Sequence, residues 1–219
     1  MFCVKEIENG VLKHYIPELK AREIAIPENV HTVAPYCFTP ETLDIDDSTD
    51  PDVFSTILEW DDLFELNTVI ITKNVKKIER CAFFYIPNLE RFVVEEGNAA
   101  FKVYDDVLLS ADGTQLIACP ERKYGDFIAP NGVKTIFEKA FASSRLSRVF
   151  LASSLTAIEE FAFDNALDLE EIYIPSSVTF IGTNAFGNCP ALTIFAPKDS
   201  YAIQYAEENG ISYKFLDEE

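Results

Sequence analysis

The chain is poor in the residues on which most catalytic and cofactor sites depend. Its 219 residues include two histidines, His14 and His31, and eight glycines. A nucleophilic enzyme needs a base held beside its serine or cysteine, and we expect both histidines to be exposed polar side chains. The glycines form no phosphate-binding loop. The sequence therefore predicts no catalytic residues and no cofactor.

Cysteines are also few, and their spacing fits neither a zinc site nor a disulfide framework. The five cysteines form no CxxC pair, and Cys37 and Cys189 fall at core positions, where a thiol acts as a small hydrophobe. We predict no metal site. One alternative stays open at DIDDSTD (44–50), whose alternating carboxylates resemble the start of a calcium loop. Thr49 and Ser55 stand where an EF-hand has Gly and Glu, so only a weak, different calcium site could form there.

Positive charge and long apolar runs are scarce as well. Eighteen Lys and Arg face 37 Asp and Glu, for a formal net charge of −19, which repels nucleic acid and anionic membranes. No apolar run reaches the length of about 18 residues that a membrane span needs. The N-terminus, MFCVKEIENG, lacks the apolar stretch of a signal peptide. This predicts a cytoplasmic protein if Met1 is the native start, or a surface or secreted protein if the chain is an excised fragment.

The chain has a clear internal period. Leu43, Leu66 and Leu89 are 23 residues apart, and a second leucine series starts at Leu146. After each leucine comes a short apolar alternation, then a small turn, and finally an Ala-Phe or Cys-Phe pair. One such unit cannot bury its own apolar face, so stacked units must share a core. The spine of that core is predicted to be a column of Phe38, Phe83, Phe141, Phe163 and Phe186.

The repeat also resembles a known family. The stretch IPSSVTFIGTNAFGNCPALTIFAP (174–197) is similar to the BspA-like leucine-rich repeats, and the resemblance runs from about residue 23. It implies a leucine-rich repeat solenoid with short parallel strands on the concave face, and turns with short helical or 3-10 segments on the convex side. It further implies an interaction protein, bacterial or protozoal and often at the cell surface, with no shared catalytic residues.

The predicted organisation is a single leucine-rich repeat domain over residues 1–219. In residues 39–65, where the repeat consensus is weak, Trp60 takes the position of the phenylalanine column, and Pro51 could begin a short helix. An Asp112-Gly113 turn predicts a two-stranded hairpin, and a capping helix is expected to end at Gly210. In chain order the parts are an N-terminal cap (1–22), repeats (23–94, with a degenerate acidic repeat at 39–65), a β-hairpin insertion (95–124), repeats (125–197) and a C-terminal helical cap (198–219).

Strand alternation predicts one binding surface. If Ile172 and Ile174 point into the core, Tyr173 points out of the sheet. Aromatic residues beside arginine are typical of interface hot spots. The alternative is that these side chains pair across strands and only stabilise the sheet. The candidate partner-binding residues are the outward apolar residues Val93, Ile128, Phe150, Tyr173 and Phe195, with the charged neighbours Arg91, Arg148 and Glu171.

The sequence thus predicts a non-catalytic protein–protein interaction module. Its partner would be a protein or peptide, or a second copy of the chain. The sequence predicts neither nucleic-acid binding nor insertion into a membrane. Two alternatives stay open. The chain could be a fragment of a bacterial cell-surface adhesin-type protein, or an enzyme with a carboxylate site in the acidic segment or the hairpin.

Overall fold

The computed structural model describes residues 4–17, 20–39 and 65–216. The chain divides into two compact units, Met1–Ala100 and Phe101–Glu219, and each is described by itself. Most of the degenerate acidic repeat lies outside the described residues. So do Trp60, the helix expected from Pro51 and the calcium alternative at 44–50. The domain boundaries given above stay predictions.

The first unit folds into two small sheets. In one, β1 and β2 form an antiparallel hairpin that β4 and β6 extend in parallel, while β3, β5 and β7 form the other, all-parallel sheet. An Asn9-Gly10 turn joins β1 to β2, and both residues have positive φ, as a tight hairpin turn requires. The strands described are β1 (Val4–Glu8), β2 (Val11–Ile16), β3 (Glu23–Ala25), β4 (Thr32–Val33), β5 (Thr68–Ile71), β6 (Lys77–Ile78) and β7 (Arg91–Val94).

The second unit is built in the same way and is longer. One sheet has the order β11-β13-β15-β17-β18 and is parallel throughout; the other has the order β16-β14-β12-β10-β9-β8. Its elements are β8 (Phe101–Tyr104), β9 (Val107–Ser110), β10 (Gln115–Ala118), β11 (Tyr124–Ile128), β12 (Thr135–Ile136), β13 (Arg145–Phe150), β14 (Ala157–Ile158), β15 (Glu171–Tyr173), β16 (Phe180–Ile181), β17 (Thr193–Pro197), α1 (Tyr201–Asn209) and β18 (Ser212–Leu216).

The predicted alternation of the main strands is confirmed in the second unit. Val149 on β13 pairs in register with Ile172 on β15, which pairs with Ile194 on β17, and all three are fully buried. The repeat leucines Leu146 and Leu169 are fully buried as well. Matching apolar side chains of successive coils therefore meet, which is how one continuous core arises from short repeats.

The predicted phenylalanine column is present in both units. In the first, the rings of Phe38 and Phe83 stack with centroids 5.6 Å apart. In the second, Phe141 and Phe163 stack at 4.8 Å with an angle of 2° between ring planes, and Phe163 stacks on Phe186 at 5.2 Å. We call the second set, Phe141, Phe163 and Phe186, the inner column.

Each coil also contains a second strand that the sequence did not predict. β12, β14 and β16 are two residues long and pair in parallel, Thr135 with Ala157 and Ala157 with Phe180. Two residues are too few for an alternating pattern to be recognised in the sequence. The adjacent turn serine Ser177 has a structural role: its hydroxyl donates to the Leu155 carbonyl at 2.6 Å, one coil back.

A left-handed residue recurs two positions before the column phenylalanine. Lys139 and Phe161 have φ values of 56° and 55°. This left-handed conformation costs most residues other than glycine roughly 1–2 kcal/mol of free energy. The compensation is a backbone hydrogen bond between coils: the Phe161 N–H donates to the Thr183 carbonyl at 3.2 Å. The same conformation occurs at Tyr36, Cys81 and Asn184.

The predicted hairpin is present, and it is part of a larger meander. β9 and β10 pair antiparallel around Asp112 and Gly113, and β8 adds a third strand that was not predicted. The turn from β8 to β9 has two left-handed residues, Asp105 and Asp106. The Lys123 ammonium holds this turn, 3.1 Å from Asp105 Oδ2. β10 then pairs in parallel with β12, so the meander continues directly into the repeat sheet.

The C-terminal cap follows the prediction closely. Helix α1 begins after Ser200 and ends at Gly210, whose φ of 66° allows its N–H to reach the last helical carbonyls. Tyr205 packs edge-on against Phe186, with centroids 6.0 Å apart. The helix thereby covers the last ring of the inner column, and β18 follows it.

Candidate functional site

An outer stack of aromatic rings runs across the long parallel sheet of the second unit. Phe150, Tyr173 and Phe195 occupy matching register positions on β13, β15 and β17. The ring centroids are 4.5 Å and 4.7 Å apart, with interplanar angles of 13° and 15°. These distances match the usual spacing of about 4.8 Å between neighbouring strands, so the sheet itself sets the stacking. We call these three residues the aromatic ladder.

The faces of the ladder rings are covered and their edges are not. Ile128 takes the register position next to Phe150, and the Lys214 ammonium lies 5.3 Å from the centroid of the Phe195 ring at the other end. All three ring side chains remain partly exposed. The ladder therefore presents a row of apolar ring edges to solvent.

A row of charged residues lies beside the ladder on β11, β13 and β15, two positions before Ile128, Phe150 and Tyr173. Arg148 binds Asp126 through two hydrogen bonds, one of them from Nε to Oδ1 at 2.9 Å. The Tyr173 hydroxyl donates to Glu171 Oε2 at 2.9 Å. These hydrogen bonds raise the pKa of Arg148 and the pKa of Tyr173. We call Asp126, Arg148 and Glu171 the charged row; within it Asp126 holds the guanidinium in one orientation.

A β-bulge brings further residues to this face. Gly125 pairs with Leu146 and Asp126 pairs with Arg148, so Ser147 is an extra residue on β13. Strict alternation from Phe150 would point Leu146 outward. Because of the bulge, Leu146 is buried and Arg145 is exposed. Arg145 was not predicted as an outward residue, because the alternation was followed along this strand only from Arg148 onward.

Next to Arg145 is an open pocket of about 480 Å³. Tyr124, the register partner of Arg145, is 81% exposed, and Leu167 is 56% exposed. Asp168 and Glu170, from the connection before β15, also line it. We call this feature the side pocket. None of its residues is among the partner-binding candidates predicted from the sequence.

The remaining predicted residues lie in the first unit. Val93 on β7 is exposed on the sheet formed with β3 and β5. Arg91 Nε donates to Thr68 Oγ1 at 3.1 Å, and Thr68 is 1% exposed. Arg91 and Val93 therefore share a face of the first unit, while Ile128, Phe150, Tyr173, Phe195, Arg148 and Glu171 lie in the second.

The thiols of Cys37 and Cys189 are held in inert surroundings. Burial raises the pKa of Cys37 to about 12 and that of Cys189 to about 11, which disfavours the reactive thiolate. His31 is exposed, but the same expectation for His14 is wrong. His14 lies on β2, an inner strand of its sheet, and its side chain is 7% exposed. Across residues 4–17, 20–39 and 65–216, no group of three His, Cys, Asp or Glu is placed to hold a metal ion.

Within the same ranges, no helix combines the length and apolar content needed to cross a membrane. The helix described is α1, nine residues long and amphipathic in its burial.

In each unit, successive coils stack with their parallel strands paired in register and with their phenylalanine rings stacked. This arrangement defines a leucine-rich repeat solenoid. The BspA type leucine rich repeat region matches the chain in six copies, over residues 4–104 and 121–207. The chain belongs to this family, as the resemblance in the sequence implied. Proteins of the family are generally non-catalytic. No curated protein matches the sequence.

Solved structures of similar fold come from bacteria. A leucine-rich repeat protein from Eubacterium ventriosum is 24% identical, with a TM-score of 0.64 over 81% of this chain and 42% of that one. The pneumococcal vaccine antigen PcpA is 22% identical, with a TM-score of 0.54 over 72% of this chain and 57% of that one. At these identities the likeness shows the fold alone, and the chain spans about half the length of either protein.

Proposed function

We propose that this protein is a non-catalytic interaction module that binds a protein or peptide partner through the aromatic ladder. The observation that carries the proposal is a continuous stack of three partly exposed rings beside an arginine fixed by its own ion pair. Aromatic and arginine side chains dominate interface hot spots. A partner that covers the ladder gains apolar burial while few rotamers need ordering, because stacking already restricts the rings.

The geometry of the rings favours a protein partner over other classes. Sugars and bases are bound by stacking on an open aromatic face. Here the neighbouring rings occupy those faces at 4.5 Å and 4.7 Å, and only the edges remain. Aliphatic and aromatic side chains pack well against such edges. The net charge of −19 further disfavours nucleic acid.

The test compares two phenylalanines on different sheets of the second unit. Phe150→Asp places a carboxylate in the ladder, and Phe180→Asp is the matched control on β16, where Phe180 is 48% exposed. Immobilised wild-type and variant chains are used to capture partners from the cells that express the protein, and each captured protein is purified for a direct affinity measurement.

We expect the wild type and Phe180→Asp to bind one partner equally, and Phe150→Asp to bind it about 100-fold more weakly, as for a central hot spot. Circular dichroism establishes that both variants are folded. Unchanged affinity in folded Phe150→Asp would mean that the ladder serves only cross-strand packing. Capture of a second copy of the chain, lost in the same variant, would identify the partner as the protein itself.

A second proposal is that the chain is part of a bacterial cell-surface protein of adhesin type. Its support is the family and the description of one protein of similar fold as a vaccine antigen. The measurement is labelling of intact cells with an antibody against the chain. Labelling without permeabilisation is expected for a surface protein, and labelling only after permeabilisation would contradict it.

A further inference from the structure

We infer that the side pocket receives a basic side chain, lysine or arginine, of the partner that covers the ladder. This inference rests on the proposed function, because it assigns the chemistry of one contact made by that partner. It follows from three features of the second unit: the charges that line the pocket, its exposed apolar walls and its distance from the ladder.

The first feature is charge that has no partner among the residues that the structure describes. In the charged row, Arg148 pairs with Asp126 and Glu171 accepts from Tyr173. In the side pocket, the side chains of Arg145, Asp168 and Glu170 form no ion pair or hydrogen bond with any described residue. The carboxylates outnumber the guanidinium, so the pocket favours a cation. Arg145 restricts where that cation fits, since it repels charge on its own side of the pocket.

The second feature is the apolar wall. Tyr124 and Leu167 are 81% and 56% exposed, which places them among the most exposed large apolar residues described. Lysine and arginine carry a long aliphatic stem below the charged group, and this stem packs on apolar surface while the head reaches carboxylates. Arginine can in addition stack on a tyrosine ring. A purely apolar side chain would cover the same wall but leave Asp168 and Glu170 desolvated and unpaired.

The third feature is distance. Tyr124 and Ile128 belong to the same strand and point to the same face, four residues apart. At about 3.3 Å per residue this places the pocket about 13 Å from Ile128, the residue that pairs with Phe150 at the edge of the ladder. An extended partner segment spans that distance between its first and fifth residues, with the third on the same side. The partner is therefore expected to carry a basic and an apolar residue at positions 1 and 5.

The probe is the blocked pentapeptide acetyl-Arg-Thr-Ser-Thr-Leu-amide, titrated into the full chain and followed by NMR at the Leu167 methyl groups and the Phe150 ring. The control peptide replaces arginine with citrulline, which keeps the shape and removes the charge. We expect saturable shifts at both sites with the arginine peptide and about fivefold weaker binding with the citrulline peptide, as for an exposed ion pair.

Protein variants test the carboxylates directly. Asp168→Asn combined with Glu170→Gln is expected to remove the preference for arginine over citrulline. The matched control, Asp199→Asn combined with Glu160→Gln, changes two exposed carboxylates elsewhere and is expected to retain it. Equal binding of both peptides to the wild type, an unchanged preference in the first double variant, or no shift at Leu167 would each overturn the inference.

The two proposals fail separately. Phe150→Asp removes the ladder contact but leaves the pocket carboxylates in place, so the arginine preference at Leu167 should survive in this variant. If the wild type shows no preference for the arginine peptide while partner binding still depends on Phe150, only the inference about the side pocket is refuted. If the arginine preference is present but Phe150→Asp leaves partner binding unchanged, only the binding role of the ladder is refuted.

Discussion

The second unit contains two aromatic stacks of almost the same geometry and opposite exposure. In the inner column Phe141 and Phe163 are 4.8 Å apart and fully buried. In the aromatic ladder Phe150 and Tyr173 are 4.5 Å apart and partly exposed. A parallel repeat imposes the spacing on both. What differs is the amount of apolar surface removed from water, and that decides whether a ring serves stability or remains available to a partner.

The largest effect is expected from breaking the inner column. Phe163→Ala leaves a cavity between Phe141 and Phe186 and should lower the free energy of unfolding by about 3–5 kcal/mol. Urea denaturation followed by circular dichroism measures this change. Phe163→Leu, which fills much of the same volume, should lose clearly less. A loss below about 1 kcal/mol for the alanine variant would contradict the assignment of this column as the spine.

A smaller effect is expected at the equivalent place in the ladder. Tyr173→Ala removes the central ring and its contacts with Phe150 and Phe195, and it should lower the free energy of unfolding by about 1–2 kcal/mol, because the ring is only partly buried. The same denaturation measurement applies. Tyr173→Phe, which keeps both stacking contacts and loses the hydrogen bond to Glu171, is the control. If Tyr173→Ala were as destabilising as Phe163→Ala, the two stacks would not differ in role.

The smallest effect concerns the thiols near the column positions. Burial raises the pKa of Cys37 to about 12 and of Cys189 to about 11, from 9.0. The unfolded chain therefore releases these protons at lower pH than the folded chain, so stability is complete below about pH 9 and falls as pH rises toward the folded values.

Between about pH 8 and 9.5 the loss should be below about 1 kcal/mol per thiol. Cys37→Ala and Cys189→Ala restore the residue found in neighbouring repeats, as at Ala82 and Ala166, and should reduce this slope in urea denaturation, while the buried Cys119 thiol still contributes to it. An identical slope in the double variant would show that other groups cause the alkaline loss.

Much of the fold could be predicted because large apolar side chains mark the repeat. The regular spacing of Phe163 and Ile172 with their counterparts predicts that they are buried, and the conformational freedom of Gly210 predicts the end of the helix. The site was predicted in part by the same alternation, which identified Phe150 and Tyr173 as outward residues. Their role in binding stays a prediction.

The rest could not be found in this way. Ser147 is an ordinary strand residue, yet it forms the bulge that turns Arg145 outward and opens the side pocket. Lys139 and Phe161 are left-handed although neither residue type favours that conformation. In both cases, hydrogen bonds from the neighbouring coil determine the backbone conformation.

The sequence by itself determined most of the side chains that form the core, because burial largely follows apolar character and a fixed period brings equivalent residues together. It also determined the acidic character of the chain. Only the tertiary structure decided which outward residues meet, which charges pair and which remain unpaired. Those outcomes depend on the register between strands from distant parts of the chain, and a shift of one residue at Ser147 is enough to change them.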